Sequence, residues 1–294
     1  MDDTEATETW RLLPFDRGTS AEHNARSDAL VRLAKIPTVW WHATETPTLI
    51  LGAGQPLTAD TKRRCAELGV SLVRRASGGT AVFADPGIVG LDVSLPAQHR
   101  LVGTDVVKNY RWLGEVWMNT LRSLGVRARL VDVEESRQSS KLPGDLVAAL
   151  RAACFGTLSP FEVVVKRRKV VGLAQVRRRT GLLLQSGIHL HFAREQLAQL
   201  IAPEPTGGLS DALANVAAGL DEILPVAPKE EQLMHAFSRE LEADQRITLR
   251  ESDWTPEEDA HVEHLVRVAR LTTSSRLKPG ITASGRRPSP LLGG

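Results

Sequence analysis

Residues 163–190 constrain the fold of this chain more than any other segment. Two apolar runs rich in β-branched residues flank a basic turn at residues 166–168, a pattern that predicts a β-hairpin. Lys169 opens the returning strand, where the small residues Gly172 and Ala174 alternate with larger apolar ones. Small side chains leave room beside a strand, so the sequence predicts a hairpin with space for a slender ligand.

Composition predicts a globular protein with a sizeable core. Hydrophobic residues make up 42% of the 294 residues, enough for one large domain or two smaller ones. No apolar run approaches the roughly 20 residues that a bilayer-spanning helix needs, and the acidic start differs from a secretory signal. Only two cysteines occur, which is typical of a reducing compartment. We therefore expect a cytoplasmic protein that does not bind membranes.

Basic residues are clustered although the formal net charge is only +2. They gather at residues 63–64, 74–75, 166–169 and 177–179. The low net charge argues against nucleic-acid binding, whereas the clusters predict a local basic surface for a phosphate-bearing ligand or an acidic partner protein. Each cluster taken alone is equally typical of a solvated turn.

A glycine pair, Gly78-Gly79, joins two predicted strands at residues 70–73 and 81–83. A phosphate loop of the Walker type needs a helix after its glycines and a Gly-Lys-Ser or Gly-Lys-Thr ending, and the chain has neither here. The turn therefore predicts a place where backbone amides approach a ligand without an intervening Cβ.

Cys154 and Lys169 are the candidates for chemistry. A cysteine acts as a nucleophile only as the thiolate, which a nearby lysine or arginine favours. If the hairpin folds back onto the loop of Cys154, the Lys169 ammonium can stabilise the thiolate and face the oxyanion formed during acyl transfer. The alternatives are a buried packing cysteine and a solvated lysine at the start of a strand. We assign Cys65 to packing.

No metal site is predicted. His189 and His191 alternate along one strand, but no third ligand with metal-site spacing accompanies them and no HExxH motif occurs.

The remaining patterns organise the chain. Residues 106–124 predict the main amphipathic helix on the sheet, and the polar residues 134–143 predict a mobile loop. Helical patterns dominate after residue 202. The predicted divisions are a disordered N-terminus at 1–9, a main domain at 10–202, a small helix-rich C-terminal region at 203–278 and a disordered tail at 279–294.

Three segments, in the same order, resemble the lipoate-protein ligase and octanoyltransferase family, which shares its catalytic fold with biotin-protein ligases. Segment 48–55, TLILGAGQ, resembles the family's early strand. Segment 74–82, RRASGGTAV, resembles its arginine and double-glycine signature, and segment 168–175, RKVVGLAQ, resembles its lysine strand. The resemblance covers roughly residues 8–200, and the helical remainder is similar to the small C-terminal part of octanoyltransferases.

The resemblance implies an α/β (α+β) catalytic domain with a mixed β-sheet and packing helices, of the biotin/lipoate ligase type, and a small helical C-terminal region. It implies an acyltransferase that needs no cofactor. Such an enzyme moves an octanoyl or lipoyl group from an acyl carrier protein or an acylated lipoyl domain, through a thioester on Cys154, to a lysine of a lipoyl domain. Glycine cleavage H protein and the 2-oxoacid dehydrogenase E2 subunit are the implied partners.

The resemblance also assigns the site residues. Lys169 is implied to contact the acyl carbonyl or the activated phosphate. The implied acyl-binding residues are Arg75, Ser77, Gly78, Gly79, Thr80, Gly172, Ala174 and Gln175.

Two alternative functions stay open. The double-glycine and lysine segments alone are also typical of an ATP-dependent ligase that forms an acyl adenylate with ATP and Mg²⁺. A non-catalytic acyl-binding or partner-binding relative is the other, because many family members have histidine where this chain has Ala84 and Ser186, and a serine is usual where it has Asp92.

Overall fold

The computed structural model describes residues 7–139, 145–201 and 207–275. The predicted disordered tail at 279–294 and residues 1–6 of the predicted disordered N-terminus lie outside the described residues. So do residues 202–206, at the predicted boundary between the main domain and the C-terminal region.

Twelve strands occur in the described part of the chain. They are β1 (Glu8–Leu12), β2 (Asp16–Gly18), β3 (Thr38–Thr44), β4 (Thr48–Leu51), β5 (Ser71–Arg74), β6 (Val82–Ala84), β7 (Ile88–Pro96), β8 (Ala128–Leu130), β9 (Val163–Val165), β10 (Arg168–Arg177), β11 (Gly181–His189) and β12 (Ile247–Glu251).

The strands form two sheets. In the large sheet the order is β12-β1-β3-β7-β11-β10-β9-β8, with β2 paired to β3. The pairs β12/β1, β1/β3 and β2/β3 are parallel, whereas the pairs from β3 through β8 are antiparallel. The small sheet has the order β5-β4-β6. The predicted hairpin is confirmed as β9 and β10, and Gly78-Gly79 joins β5 to β6 as predicted.

Helices cover both faces of the large sheet. Trp41 of β3 packs edge to face against Trp117 and Phe237 on one face, at centroid distances of 5.7 and 5.2 Å. Trp40 and His42 point to the other face, where their rings lie beside His23.

The helices of the described part of the chain are α1 (Ser20–Leu33), α2 (Ala59–Glu67), α3 (Arg111–Ser123), α4 (Val133–Ser139), α5 (Asp145–Ala152), α6 (Arg194–Ile201), α7 (Gly207–Val216), α8 (Glu230–Gln245) and α9 (Pro256–Ser275).

Elements of the C-terminal region share the core of the large sheet. β12 pairs with β1 over five residues, from Glu8↔Ile247 to Leu12↔Glu251. α8 packs on α3, and α9 packs on α1. Arg11 of β1 forms a buried ion pair with Glu258 at 2.9 Å. These contacts attach the last described helices to the same body as the main sheet.

Two local expectations are wrong. The predicted loop at 134–143 begins as helix α4, because the Asp132 carboxylate accepts the Glu135 N–H at 2.7 Å and caps the first turn. Its residues 140–143 lie outside the described residues. The helix predicted at 106–124 begins only at Arg111, and Val106 is 52% exposed before it.

Among the described residues, no helix is both long enough and apolar enough to cross a bilayer.

Candidate active site

A β-bulge in β10 sets the direction of the Lys169 side chain. Lys169 pairs with Val164 and Val171 pairs with Val163, so two steps along β10 match one step along β9. In a regular strand, Lys169 and Gly172 would face opposite sides. The bulge reverses this alternation, so Lys169 shares a face with Gly172. Its Cε lies 3.3 Å from the position that a Cβ on Gly172 would occupy.

The Lys169 ammonium is buried and fully occupied. Its Nζ donates to the carbonyl oxygens of Cys154 at 2.7 Å and Thr157 at 3.0 Å, and it lies 2.6 Å from Glu162 Oε1. A lysine has three N–H donors, so these three acceptors account for all of them. Lys169 therefore joins β10 to the loop that carries Cys154.

Glu162 is a site residue that the sequence analysis missed. Its carboxylate also accepts the backbone N–H groups of Ser159 at 2.7 Å and Leu173 at 3.2 Å. Burial raises the pKa of Glu162, while the Lys169 ammonium and the two N–H groups oppose this rise. The sequence does contain a signal for this role, a single acidic residue within the apolar run FEVVV. Such a residue is expected to be buried, and a buried carboxylate needs a partner.

Cys154 lies at the start of a short 3₁₀ turn, Cys154–Gly156, beside the small sheet. Its N–H donates to Ala81 O at 2.8 Å, which extends the edge of β6. The Arg75 guanidinium is 4.0 Å from its Sγ and is held by the carbonyl oxygens of Gly78 and Thr80, both at 3.0 Å. The structure thus places Arg75 against the sulfur, whereas Lys169 reaches Cys154 through its backbone oxygen.

Close backbone contact explains the glycine at the start of the early loop. A Cβ on Gly52 would lie 1.9 Å from Gly79 O, and Gly79 itself has φ +91°. Gly54, two residues later, has no atom within 4 Å of its Cβ position among the described residues. Gly52 of the early segment therefore packs directly against the backbone of the Gly78-Gly79 turn.

This contact gives a matched pair of predictions. Gly52→Ala should lower the free energy of unfolding by about 1–3 kcal/mol, since the Gly79 peptide must move to admit the methyl group. Gly54→Ala should change it by less than about 0.5 kcal/mol. Urea denaturation of both variants measures the difference, and equal stability would contradict the close contact.

Three glycines form a groove across the large sheet. Gly172 of β10 pairs with Gly187 of β11, which pairs with Gly90 of β7, which in turn pairs with His42 of β3. Directly paired residues point to the same face of a sheet. We call the row Gly172, Gly187 and Gly90 the glycine groove. It has the Cys154 loop at one end and His42 at the other.

A cavity of about 130 Å³ lies over the glycine groove, between the large and small sheets. Ile50, Val82 and Ala84 of the small sheet line it opposite the groove. The predicted residues Cys154, Arg75, Ser77, Gly172 and Ala174 also line it. The other predicted site residues are not among the described residues that line this cavity. They are Lys169, Gly78, Gly79, Thr80 and Gln175.

The residues outside the lining have structural contacts. Gln175 donates to Val106 O at 2.8 Å, and Thr80 O accepts from Arg75. Ser77, by contrast, is 1% exposed and its hydroxyl has no partner among the described residues, although it lines the cavity. A residue of the cavity lining thus has a buried hydroxyl that no described residue uses.

His189 lies behind this end of the cavity and is neutral. It is packed between the rings of Phe155 and Phe192, at centroid distances of 4.5 and 4.8 Å. Burial lowers its pKa from 6.5 to about 3. The described residues contain no cluster of three potential metal ligands, so neither His189 nor the exposed His191 belongs to one.

The buried histidine predicts acid sensitivity. Below pH 6.5 the unfolded chain protonates His189 while the folded protein does not, so His189 should lower the free energy of unfolding by about 1.4 kcal/mol for each pH unit below 6.5, down to about 3. Burial also lowers the pKa of His23 to about 3, so His23 should add a similar slope. Urea denaturation at several pH values should show the summed slope, and His189→Gln should reduce it by the contribution of one histidine. His191→Gln is the control: Asp221 raises the pKa of His191, so its removal cannot flatten the slope.

Comparison with known proteins gives consistent matches. Residues 20–242 match the family model of the lipoyl protein ligase A/B catalytic domain. Octanoyltransferase LipM of Brevibacillus brevis is 27% identical over 290 residues, covering 92% of this chain and 99% of the relative. LipM of Kyrpidia tusciae is 34% identical over 186 residues, covering 61% and 65%.

Solved structures agree on the fold. A lipoate-protein ligase A bound with ATP has a TM-score of 0.69 at 19% identity, over 88% of this chain and 94% of that one. A bipartite lipoate protein ligase of Thermoplasma acidophilum has a TM-score of 0.69 at 20% identity, over 89% and 92%. The predicted fold, a mixed sheet with packing helices of the lipoate ligase type, is confirmed.

Proposed function

The chain belongs to the lipoyl protein ligase A/B catalytic domain family, and from that premise we propose that it is an octanoyltransferase that works through a thioester on Cys154. The family predicted from three sequence segments is confirmed, and the relatives named octanoyltransferase LipM support acyl transfer. The proposed acceptor is a lysine of a lipoyl domain, and the proposed donor is an acyl carrier protein or an acylated lipoyl domain.

The observation that carries the proposal is the position of the sulfur. Cys154 lines a cavity whose floor is the glycine groove and whose roof includes apolar residues of the small sheet. An acyl chain bound there buries methylene groups, each contributing about 0.8 kcal/mol. The Arg75 guanidinium, 4.0 Å from Sγ, attracts a thiolate. A nucleophile at one end of a narrow cavity is the arrangement that acyl transfer needs.

The reaction proceeds in two transfers. The Cys154 thiolate attacks the acyl carbon of the donor, and the new C–S bond forms as the bond from that carbon to the donor breaks. This is the thioester C–S bond of an acyl carrier protein, which leaves as the thiol, or the amide C–N bond of an acylated lipoyl domain, which leaves as the lysine amine; the leaving group takes up the proton that the Cys154 thiol gave up. The lysine amine of the acceptor then attacks the enzyme thioester, an amide forms, and Cys154 returns as a thiol. Ser77 is the proposed donor to the oxyanion because its hydroxyl is buried in the lining and unpartnered.

Lys169 takes a positioning role in this proposal. Its three donors already hold Cys154 O, Thr157 O and Glu162. A contact with the acyl carbonyl would require one of these bonds to break. We therefore assign Lys169 and Glu162 to holding the Cys154 loop against β10.

Transfer without ATP is the decisive test. The protein is mixed with octanoyl acyl carrier protein and a lipoyl domain, and intact mass follows the octanoyl group. We expect the lipoyl domain to gain one octanoyl group with neither ATP nor Mg²⁺ present. Acylation that occurs only with free octanoate, ATP and Mg²⁺ would instead establish the ligase, and binding without transfer would establish the non-catalytic relative.

A further inference from the structure

An exposed basic cluster lies where β10 ends. Arg177 is the last residue of this strand, Arg178 and Arg179 lie in the turn to β11, and all three side chains are exposed. No hydrogen bond or ion pair joins the side chain of Arg178 or Arg179 to another described residue. The basic cluster at 177–179 therefore has charges that the described part of the chain does not neutralise.

The loop before α3 places apolar surface beside these arginines. The Arg177 guanidinium donates to Gly103 O, and Gln175 Nε2 donates to Val106 O at 2.8 Å, so the loop lies along the last residues of β10. Val106 is 52% exposed and the adjacent Val107 is 39% exposed. Two neighbouring valines are thus open to solvent next to a cluster of cations.

Positive charge exceeds negative charge on this surface. Lys108 follows the valines, and its side chain is 80% exposed. One acid, Asp105, lies in the same loop: its Oδ1 accepts the N–H groups of Val107 at 2.9 Å and Lys108 at 3.1 Å. Its Oδ2 lies 3.8 Å from Lys108 Nζ. We call Val106, Val107, Lys108 and residues 177–179 the basic patch. Its four cations attract an acidic protein surface.

The basic patch lies beside the candidate active site and at a distance from Cys154. Ala174 lines the cavity, and Arg177 follows it by three residues, about 10 Å along β10. Phe155, which follows Cys154, lies 3.3 Å from the Cβ position of Gly172. Gly172 is about 17 Å from Arg177 along the strand. The four-carbon stem of a lysine spans only about 6 Å, so a protein on the patch needs a longer arm to reach Cys154.

We infer that the basic patch is the docking surface for the acyl donor, and that this donor is an acidic acyl carrier protein. The inference rests on the proposed function, because the carrier must deliver an octanoyl group to Cys154. Such a carrier holds its acyl group as a thioester on a long arm joined through a phosphate, which spans a distance that a lysine cannot. Acidic side chains of the carrier pair with the arginines, and its apolar side chains cover Val106 and Val107.

Charge reversal tests the docking surface. Arg178→Glu/Arg179→Glu should lower kcat/KM for acylation of Cys154 by octanoyl acyl carrier protein at least about tenfold at low ionic strength. Salt screens exposed charges, so about 0.5 M NaCl should slow the unaltered protein and remove most of the difference. In the reaction, Cys154 Sγ bonds to the acyl carbon, the donor C–S bond breaks, and the donor leaves as the thiol. Intact mass at successive times gives the rates.

A small donor separates docking from chemistry. The N-acetylcysteamine thioester of octanoate reacts in the same way but has no protein surface to bind. Arg178→Glu/Arg179→Glu should therefore be acylated by this thioester at the rate of the unaltered protein. Equal losses with the carrier and with the small thioester would place the effect at Cys154 and contradict a docking role.

A matched variant controls for net charge. Arg239 of α8 and Arg250 of β12 are also exposed, and β12 lies five strands from β10 in the large sheet. Arg239→Glu/Arg250→Glu makes the same change in charge and should retain nearly the full rate with the carrier. A loss as large as that of the patch variant would assign the attraction to the whole molecule and overturn the local surface.

The outcomes separate the two proposals. An unchanged carrier rate in the patch variant, or acylation by an acylated lipoyl domain alone, overturns the docking surface and leaves the octanoyltransferase standing. Protein acylated beforehand with the small thioester isolates transfer to the lipoyl domain. A patch variant that slows only this second step would assign the surface to the acceptor and refute the inference. Absence of an adduct with every donor overturns the proposed function as well.

Discussion

Replacing Cys154 with alanine is expected to abolish the octanoyl adduct and to reduce transfer to a lipoyl domain by at least about 10³-fold. The reason is chemical: alanine offers no atom to hold the acyl group, so the two-step route has no intermediate. The substitution removes a half-buried sulfur that packs at the edge of a hydrophobic cluster and lies 4.0 Å from the Arg75 guanidinium, so the fold should persist. Intact mass after incubation with octanoyl acyl carrier protein measures the adduct, and circular dichroism verifies folding.

Cys65 provides the matched control. It is the other cysteine of the chain and is buried in α2, where burial raises the pKa of its thiol. Cys65→Ala should retain the adduct at one octanoyl group per chain. An adduct that persists in Cys154→Ala and disappears in Cys65→Ala would assign the nucleophile to Cys65 and refute the mechanism.

Lys169→Met has the second large effect, and it acts on stability and activity together. Removal of the ammonium leaves the Glu162 carboxylate, 1% exposed, without its cation. Loss of one partner of a buried ion pair costs about 3–5 kcal/mol, so the unfolding free energy should fall by that amount. The carbonyl oxygens of Cys154 and Thr157 also lose their donor, and the loop that carries the sulfur is released.

The double variant Lys169→Met/Glu162→Gln separates the two effects. Neutralising Glu162 removes the unpaired charge, so urea denaturation should show that part of the lost stability returns. The rate of Cys154 acylation should stay about 10²-fold below that of the unaltered protein, because the Cys154 loop still lacks the hydrogen bond that positions it. Recovery of the full acylation rate in the double variant would show that Lys169 serves only to neutralise Glu162.

Local chemistry made several parts of this protein predictable from the sequence. β-Branched runs and the basic turn at 166–168 define β9 and β10, since these patterns act through neighbouring residues. The Gly78-Gly79 pair between two strands is likewise a local signal. Resemblance in three ordered segments then gave the family, which the match over residues 20–242 confirms. The assignment of Cys154 and Lys169 as functional residues stays a prediction.

Other parts depend on residues that are far apart in the chain. Glu162 was missed because its role is defined by its contact with Lys169. The polar part of the cavity lining was missed because His23, His42 and Asp92 meet only after β3, β7 and α1 pack together. A separate pairing of distant strands, β1 with β12, links the helical C-terminal region to the large sheet.

The sequence by itself determined which residue types are available: a cysteine, a lysine at the start of a strand, and small residues at Gly90, Gly172 and Gly187. Tertiary structure alone decided which of them face one another. A single extra residue in β10 moves Lys169 to the face of Gly172, and strand register aligns three glycines into one groove. The physical reason is that side-chain direction in a sheet reverses with every residue, so function here depends on pairing between strands, which no local sequence pattern specifies.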